Sequence, residues 1–167
     1  GTPVAAGMFD VNACGIASGL CGEEDMCMIA GTWSINEFIR KEPVLNGTVA
    51  LNSMFCMPGY FLIEESSPTS AGNIEWFIKN LMRYEKKEAK ENGGSVYDIT
   101  NEWVASIEPQ DSNVIFLPFL NGSNEDPLAK GTFVGLTAYH SKKHMLRAVY
   151  EGIVFSHMTH VKKLLRN

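Results

Sequence analysis

The sequence predicts an α/β domain in which a mixed sheet is flanked by helices. Short apolar segments of strand length alternate with longer segments whose apolar residues follow the helical period. Hydrophobic residues make up 45% of the 167 residues and charged residues 20%, which is typical of a globular domain with a hydrophobic core. Neither an internal repeat nor a linker-like segment divides the chain, so we expect a single domain.

Charge and apolar run length exclude two classes of partner. The chain has 14 Lys and Arg against 19 Asp and Glu, a net charge of −5, and it has no basic cluster. This argues against nucleic acid or an anionic membrane as the main partner. No apolar run approaches the roughly 20 residues that a membrane helix needs. The chain starts at Gly1 and shows no signal or transit peptide, so we expect a processed start or a piece of a longer protein.

The first predicted elements meet at an acidic residue. Residues 2–9 predict a short buried strand, and residues 11–20 predict a helix rich in small side chains. Asp10 therefore lies at a strand-to-helix junction, where a carboxylate can accept a proton from a hydroxyl nucleophile. An N-cap role for Asp10 explains its position equally well.

The next two strands are predicted to form a hairpin. Residues 27–30 are continuously apolar, and residues 34–39 alternate with strand period around Ile35, Glu37 and Ile39. The connecting Gly31-Thr32 turn is of the kind whose backbone N–H groups can contact a phosphate, although many such turns have no such role.

The rest of the chain predicts three strands and three helices. Pro109 ends the second of these helices, and Gly152 interrupts the last one, where it would allow close packing against another element. Residues 85–94, rich in Lys and Glu, predict a solvated helix end and a loop. In chain order the strands are residues 60–64, 114–120 and 131–136, and the helices are residues 74–84, 97–107 and 141–165.

The cysteines and histidines give no metal-site pattern. The cysteines form no CxxC pair and lie among small and apolar residues, so we expect reduced, buried thiols. A secreted, glycosylated and disulfide-linked domain is the alternative, since Asn46 and Asn121 begin glycosylation triplets. The histidines form two closely spaced pairs without an obvious third ligand, and we expect structural or solvated side chains. The residues concerned are Cys14, Cys21, Cys27, Cys56, His140, His144, His157 and His160.

Several segments together resemble the FGGY family of carbohydrate kinases. Residues 131–136 (GTFVGL), His144-Met145 and residues 148–151 (AVYE) are spaced as in the second signature of that family. Other segments resemble the family in the expected order, so that the resemblance extends over essentially the whole chain. Residues 151–160 (EGIVFSHMTH) resemble the L-xylulose kinases within the family. The other segments are residues 1–7 followed by Asp10, and residues 30–33, 67–76 and 116–124.

The resemblance implies a fold and a set of site residues. It implies a ribonuclease-H-like, actin-like C-terminal domain that transfers the ATP γ-phosphoryl group to a sugar hydroxyl with Mg²⁺. By this resemblance Asp10 is the general base, Gly31 and Thr32 contact the nucleotide phosphates, and Gly72 and Glu75 lie beside the nucleotide. Glu75 departs from the Gln of glycerol kinases, which puts its nucleotide contact in doubt.

Length is the main departure from the family. Family members are much longer, with an N-terminal domain that carries most sugar contacts and a glycine-rich adenosine segment that would follow residue 167. The resemblance therefore implies that residues 1–167 are part of the nucleotide-binding domain, truncated on its C-terminal side and inactive in isolation.

The partners follow from the same resemblance. We expect the missing N-terminal domain of the same protein and a ketopentose such as L-xylulose, in the cytoplasm. Apolar surface exposed at Phe116, Phe119 or the helix around Met145 would favour a homo-oligomer. The alternative function is a non-catalytic actin-like domain that binds nucleotide or protein.

Overall fold

The computed structural model describes residues 1–4 and 6–167 and contains α-helices and β-strands in interleaved order. The chain divides into two compact units. The first unit contains Gly1–Ile29, Ile35–Ser66 and Thr159–Asn167, and the second contains Ala30–Ser34 and Ser67–Met158. That the whole chain is part of one domain stays a prediction. The elements are α1 (Asp10–Ala17), β1 (Met26–Ala30), β2 (Ser34–Arg40), β3 (Leu51–Met54), β4 (Phe61–Ser67), α2 (Gly72–Leu81), α3 (Arg83–Glu91), α4 (Val96–Ala105), a 3-10 turn (Pro109–Asp111), β5 (Ile115–Leu117), β6 (Thr132–Val134) and α5 (Lys142–Leu164).

A four-stranded sheet with the order β1-β2-β4-β3 lies almost wholly in the first unit. Strands β3 and β4 are antiparallel, with Leu51 opposite Glu64 and Met54 opposite Phe61. Only three residues join the neighbouring strands β1 and β2, which requires an antiparallel hairpin, as the sequence predicted. The larger core cluster of this unit contains Val11, Leu20, Cys27, Ile39, Phe55 and Leu62.

The start of the chain differs from the prediction. None of the described residues in 1–9 is in a strand, and these residues are exposed, with Val4 at 96%. An apolar run becomes a strand only where a neighbouring strand pairs its backbone, and among the described residues none pairs with this segment. The N-cap interpretation of Asp10 is also wrong. Phe9 is the N-cap of α1, and Asp10 is the first helical residue, with Oδ1 accepting from the Val11 N–H at 2.9 Å.

In the second unit a cluster of apolar side chains joins α2, α3, α4, β5 and α5. Strands β5 and β6 pair antiparallel, and the rings of Phe116 and Phe133 lie 4.6 Å apart. Gly152 lies directly against β5, because a Cβ at this position would be 2.4 Å from the Phe116 carbonyl oxygen. The predicted close packing at Gly152 is therefore confirmed.

The apolar surface of the second unit is not where the sequence placed it. Phe116 is 2% exposed, and Phe119 and Met145 are half-buried. Side chains alternate along β5, so the exposed residues are the neighbours Ile115 and Leu117. The prediction that Phe116 contributes exposed surface is wrong, because Phe116 lies on the buried face of the strand.

Two further expectations need correction. Only Cys27 is buried, whereas the other three cysteines are exposed, and all four are free thiols. Helix α1 buries only Val11, Asn12 and Gly15, which leaves its cysteine outside the core. The segment 85–94 is not wholly solvated, because Glu85 is buried and pairs with Lys142. No helix among the described residues is long and apolar enough to cross a membrane.

Candidate functional site

The connection between β1 and β2 is a tight turn held in place by backbone hydrogen bonds. The Gly31 N–H donates to the Trp33 carbonyl at 3.1 Å, which closes the turn. The Gly31 carbonyl accepts from the Ala71 N–H at 2.9 Å, which ties the turn to the segment before α2. Thr32 and Trp33 are exposed at the tip of this turn. The turn therefore presents a hydroxyl and backbone at the surface of the second unit.

The first residue of α2 lies against the turn. A Cβ on Gly72 would be 3.7 Å from the Thr32 carbonyl oxygen, an ordinary contact distance. Helix α2 has ten residues, and its N-terminal turn carries backbone N–H groups and the positive end of the helix dipole. The structure thus brings together Gly31, Thr32 and Gly72, three of the residues predicted to contact or flank a nucleotide.

Glu75 is in the first turn of α2 and has a partner that sequence reasoning missed. Its carboxylate accepts a hydrogen bond from the Tyr97 hydroxyl of α4, and both residues are exposed. This hydrogen bond raises the pKa of Tyr97 above its usual value. The capping box of Ser95 and Asp98 fixes the start of α4 and so places Tyr97. That box is a recognisable sequence signal for the position of Tyr97, though not for its contact.

A buried cluster of hydroxyls and one imidazole links the residue that follows the turn to the segment before α2. His157 of α5 is 3% exposed, and its Nδ1 lies 3.1 Å from the Ser34 Oγ, while its Nε2 lies 3.3 Å from the Ser70 Oγ. A second set of hydrogen bonds joins the Thr69 hydroxyl to Ser67 at 2.6 Å and to Ser156 at 2.9 Å. We refer to Ser34, His157 and Ser70 as the hydroxyl–imidazole cluster.

Asp10 belongs to the first unit, whereas the other four predicted site residues belong to the second. Its side chain is exposed at the first residue of α1, where the helix dipole favours a negative charge. An exposed carboxylate held in this way can accept a proton from a substrate hydroxyl.

Buried carboxylates distinguish the interior of the first unit. Glu37 is 0% exposed, and no N–H or O–H group of the described residues donates to either of its carboxylate oxygens. Burial, reinforced by the charge of Glu64, raises the pKa of Glu37 from 4.5 to about 7, and the Cys27 thiol only partly opposes this. Glu65 is equally buried, yet it accepts from the Ala50 N–H at 2.7 Å and pairs with Lys163 at 3.3 Å. Sequence reasoning did not predict these buried acids, because Glu37 was counted only as part of a strand pattern and Glu65 lay beyond the end of the strand predicted at residues 60–64.

The turn joins a glycine to the N-terminal end of a helix. Glycine backbone and a helix N-terminus are the usual protein elements around phosphate groups. Gly31, Thr32 and Gly72, which the sequence predicted to contact or flank a nucleotide, lie at these elements, and the Gly31 N–H already donates to the Trp33 carbonyl. For the metal, no group of three or more His, Cys, Asp or Glu side chains converges among the described residues. Such a group is not required, because Mg²⁺ at a nucleotide is commonly held by one or two carboxylates and the phosphate oxygens.

Comparison with known proteins shows the family to which the chain is related. The profile described as "FGGY family of carbohydrate kinases, C-terminal domain" matches residues 26–167. A probable L-xylulose kinase of Pasteurella multocida is 36% identical over 98% of this chain and 32% of its own length. The L-xylulose/3-keto-L-gulonate kinase of Escherichia coli is 34% identical over 98% of this chain and 31% of its own length.

Solved structures show the same fold. The xylulose kinase of Rhodospirillum rubrum superposes with a TM-score of 0.78 at 21% identity, covering 92% of this chain and 30% of that one. The ligand-bound xylulose kinase of Lactobacillus acidophilus gives 0.70 at 25% identity, covering 90% and 29%. These likenesses confirm the predicted actin-like α/β fold. The chain spans about a third of the length of the relatives it matches. Because the family profile covers most of its residues, the chain belongs to the FGGY family of carbohydrate kinases.

Proposed function

We propose that the full-length protein carrying this chain transfers the γ-phosphoryl group of ATP to a hydroxyl of a ketopentose such as L-xylulose. The observation that carries this proposal is the Gly31-Thr32 turn anchored on the start of α2, a phosphate-binding arrangement in a member of a sugar-kinase family. The names of the L-xylulose kinase relatives support the ketopentose as substrate.

The second unit would bind the nucleotide. Gly31 and Thr32 would lie beside the phosphates together with the positive end of α2, which favours an anion. The Gly31 N–H already donates to the Trp33 carbonyl, so Thr32 and the helix start would supply the donors. Gly72 keeps the helix start within ordinary contact of Thr32 and leaves no side chain in that space. Glu75, held by the Tyr97 hydroxyl, would lie beside the nucleoside. Since Tyr97 donates to it, the Glu75 carboxylate keeps acceptor capacity for a ribose hydroxyl or a base amine.

The first unit would supply the base. The Asp10 carboxylate would accept the proton of the sugar hydroxyl while that oxygen forms a bond to the γ-phosphorus and the bond to ADP breaks. A positioned general base of this kind contributes about 10²–10⁴-fold in rate. Bound Mg²⁺ would neutralise the negative charge that develops on the phosphate oxygens during transfer. Most of the remaining acceleration comes from positioning and electrostatics, which suits a site with one carboxylate and backbone donors.

Further parts of the protein and its location belong to the same proposal. The relatives are about three times as long as the matched region, which leaves room for an N-terminal domain that carries sugar contacts. We place the enzyme in the cytoplasm, with the sugar and that domain as its partners.

A substrate panel tests the proposal. The full-length protein is incubated with ATP, Mg²⁺ and each of the ketopentoses, ketohexoses and polyols, and both ADP release and the sugar phosphate are measured. We expect the highest kcat/KM with L-xylulose among these sugars, with ADP and sugar phosphate formed in equal amounts. A different ketopentose as best substrate would contradict the proposed sugar, and failure to phosphorylate any of them would contradict the proposed function.

A further inference from the structure

We propose that His157 is a positioning residue that holds the phosphate turn against the start of α2. This inference rests on the proposed function for its meaning, since it concerns the same nucleotide site. His157 does not belong to the turn, and it would act through Ser34 and Ser70. Nothing in the family profile or in the relatives' names assigns this role.

The connections form a closed ring. Ser34 is the residue that follows the turn, and Ser70 directly precedes Ala71, whose N–H bonds to the Gly31 carbonyl at 2.9 Å. The His157 ring links these two serines, with 3.1 Å on the Ser34 side and 3.3 Å on the Ser70 side. The turn and the segment before α2 are thus joined twice, once through backbone and once through the imidazole. Two links fix both the spacing and the orientation of the turn, which a single hydrogen bond cannot do.

Because the hydroxyl–imidazole cluster is buried, its positions require side chains that can form hydrogen bonds. Ser34 and Ser70 are 0% exposed and His157 is 3% exposed. A neutral imidazole has one donor and one acceptor nitrogen, and each serine hydroxyl can donate or accept. Either imidazole tautomer therefore satisfies both hydroxyls. An apolar side chain in place of His157 would leave two buried hydroxyls without that partner, at a cost to this arrangement of the turn.

The cluster is also suited to the charge of the proposed ligand. The two serine hydroxyls carry no charge, and the imidazole carries none in its neutral form. A buried carboxylate in this place would repel a nucleotide phosphate bound at the turn. A neutral imidazole between two hydroxyls supplies rigidity without that repulsion.

The test uses the full-length protein with three variants. His157→Phe keeps a flat ring and removes both hydrogen bonds, Ser70→Ala removes one, and His157→Asn keeps an amide near the Nδ1 position. We expect the KM for ATP to rise about 3–10-fold in His157→Phe, the effect of one to two hydrogen bonds. The KM for the sugar should stay unchanged, and His157→Asn and Ser70→Ala should lie between the wild type and His157→Phe.

A second readout does not depend on catalysis. Hydrogen exchange measured by mass spectrometry should be faster over residues 31–34 and 70–72 in His157→Phe than in the wild type. The matched control is His160→Gln, three residues further along α5, whose ring pairs with Glu65 in the first unit at 3.3 Å. This control should leave the ATP KM and the exchange of both segments unchanged.

The outcomes separate this inference from the proposed function. Wild-type ATP KM and wild-type exchange in both His157→Phe and Ser70→Ala would overturn the positioning role, as would an equal rise in the KM for ATP and for sugar. If His157→Phe does not fold, Ser70→Ala and His157→Asn decide the same question. If the wild type phosphorylates no sugar, the proposed function fails. Faster exchange would then still support the structural link, and unchanged exchange would overturn it.

Discussion

The two units bury polar side chains of different kinds. Buried acidic side chains of the first unit include Glu37, Glu64 and Glu65, whereas the hydroxyl–imidazole cluster of the second unit has no acid. The imidazole of the cluster lies within hydrogen-bond distance of both serine hydroxyls, while Glu37 has no N–H or O–H donor among the described residues. The second unit thus combines this cluster with the buried Glu85, which pairs with Lys142, whereas the first unit buries several carboxylates.

Two equally buried carboxylates of the first unit, those of Glu65 and Glu37, differ in the groups that surround them. Glu65 and Glu37 are 1% and 0% exposed. A backbone N–H, His160 and Lys163 surround the Glu65 carboxylate. Glu37 lacks such donors, and burial, reinforced by the negative charge of Glu64, raises its pKa to about 7. A buried acid of the first kind fixes a structure, and one of the second kind links stability to pH.

Exchanging each of these acids for its amide gives the largest expected effect on stability. Glu65→Gln should lower the free energy of unfolding by about 1–3 kcal/mol, because it removes the charged partner of His160 and of the partly exposed Lys163. Glu37→Gln should raise it above pH 7 by roughly 3 kcal/mol, because the amide cannot carry the buried charge. Denaturant unfolding of both variants at pH 8 measures the difference. Equal destabilisation by both substitutions would contradict the distinction between them.

The raised pKa of Glu37 predicts that the stability of the folded protein depends on pH. Folded Glu37 holds its proton up to about pH 7, whereas the unfolded chain releases it near 4.5. The folded state therefore binds more protons in this range, and the stability contributed by Glu37 is lost as pH rises from about 4.5 to 7. The difference in stability between Glu37→Gln and the wild type should grow over this range and stay constant above it. A difference that does not change between pH 4 and pH 8 would show that Glu37 is already charged in the folded protein.

A smaller loss is expected from Gly152→Ala in the second unit. A Cβ at this position would lie 2.4 Å from the Phe116 carbonyl oxygen, which is backbone and cannot rotate away. Overpacking should cost about 1–3 kcal/mol, more than the gain in helix propensity from alanine. Thermal unfolding beside the control Gly94→Ala, where the nearest atom to the new Cβ would be at 3.7 Å, measures it. If both variants unfold at the same temperature, α5 does not pack this closely on β5.

The smallest effect concerns the edge of the proposed nucleotide site. Tyr97→Phe removes the hydrogen bond to Glu75 and leaves that exposed carboxylate free to move. We expect the KM for ATP to change about 2–5-fold, as for one exposed hydrogen bond, with no change in stability. Steady-state kinetics at varied ATP on the full-length protein measures this. A loss of activity beyond 100-fold would mean that Tyr97 has a larger role than holding Glu75.

The sequence predicted those features that local physics controls. Residues 27–30 and 34–39 give the β1–β2 hairpin because only a hairpin can join strands three residues apart. Gly31 and Thr32 form the predicted turn because a tight turn is a short-range feature, whereas their role toward a nucleotide stays a prediction. Residues 2–9 failed as a strand because strand formation depends on a pairing partner that no local pattern reveals. The same holds for β3, whose half-exposed residues show no apolar alternation.

Contacts between distant segments could not be predicted. The hydrogen bonds of His157 join residues separated by 123 and 87 positions, and the spacing of His157 and His160 suggested only an unfilled metal pattern. Glu37 was part of the strand-period evidence, yet its burial follows from the packing of α1 on the sheet. A Cβ on Gly15 of that helix would be 3.0 Å from a carboxylate oxygen of Glu37. Side-chain roles of this kind depend on which faces meet, which is set by the whole fold.

Substitution of Asp10 by Asn in the full-length protein tests the proposed kinase most directly. The amide keeps the size of the side chain and an acceptor oxygen for the Val11 N–H, but it cannot take the proton of a sugar hydroxyl. The measurement is kcat for phosphoryl transfer to L-xylulose together with the dissociation constants of ATP and the sugar. We predict a fall in kcat of about 10²–10⁴-fold with both dissociation constants nearly unchanged. Undiminished transfer in Asp10→Asn would contradict the account, as would a domain that binds ATP without transferring phosphate in the wild type.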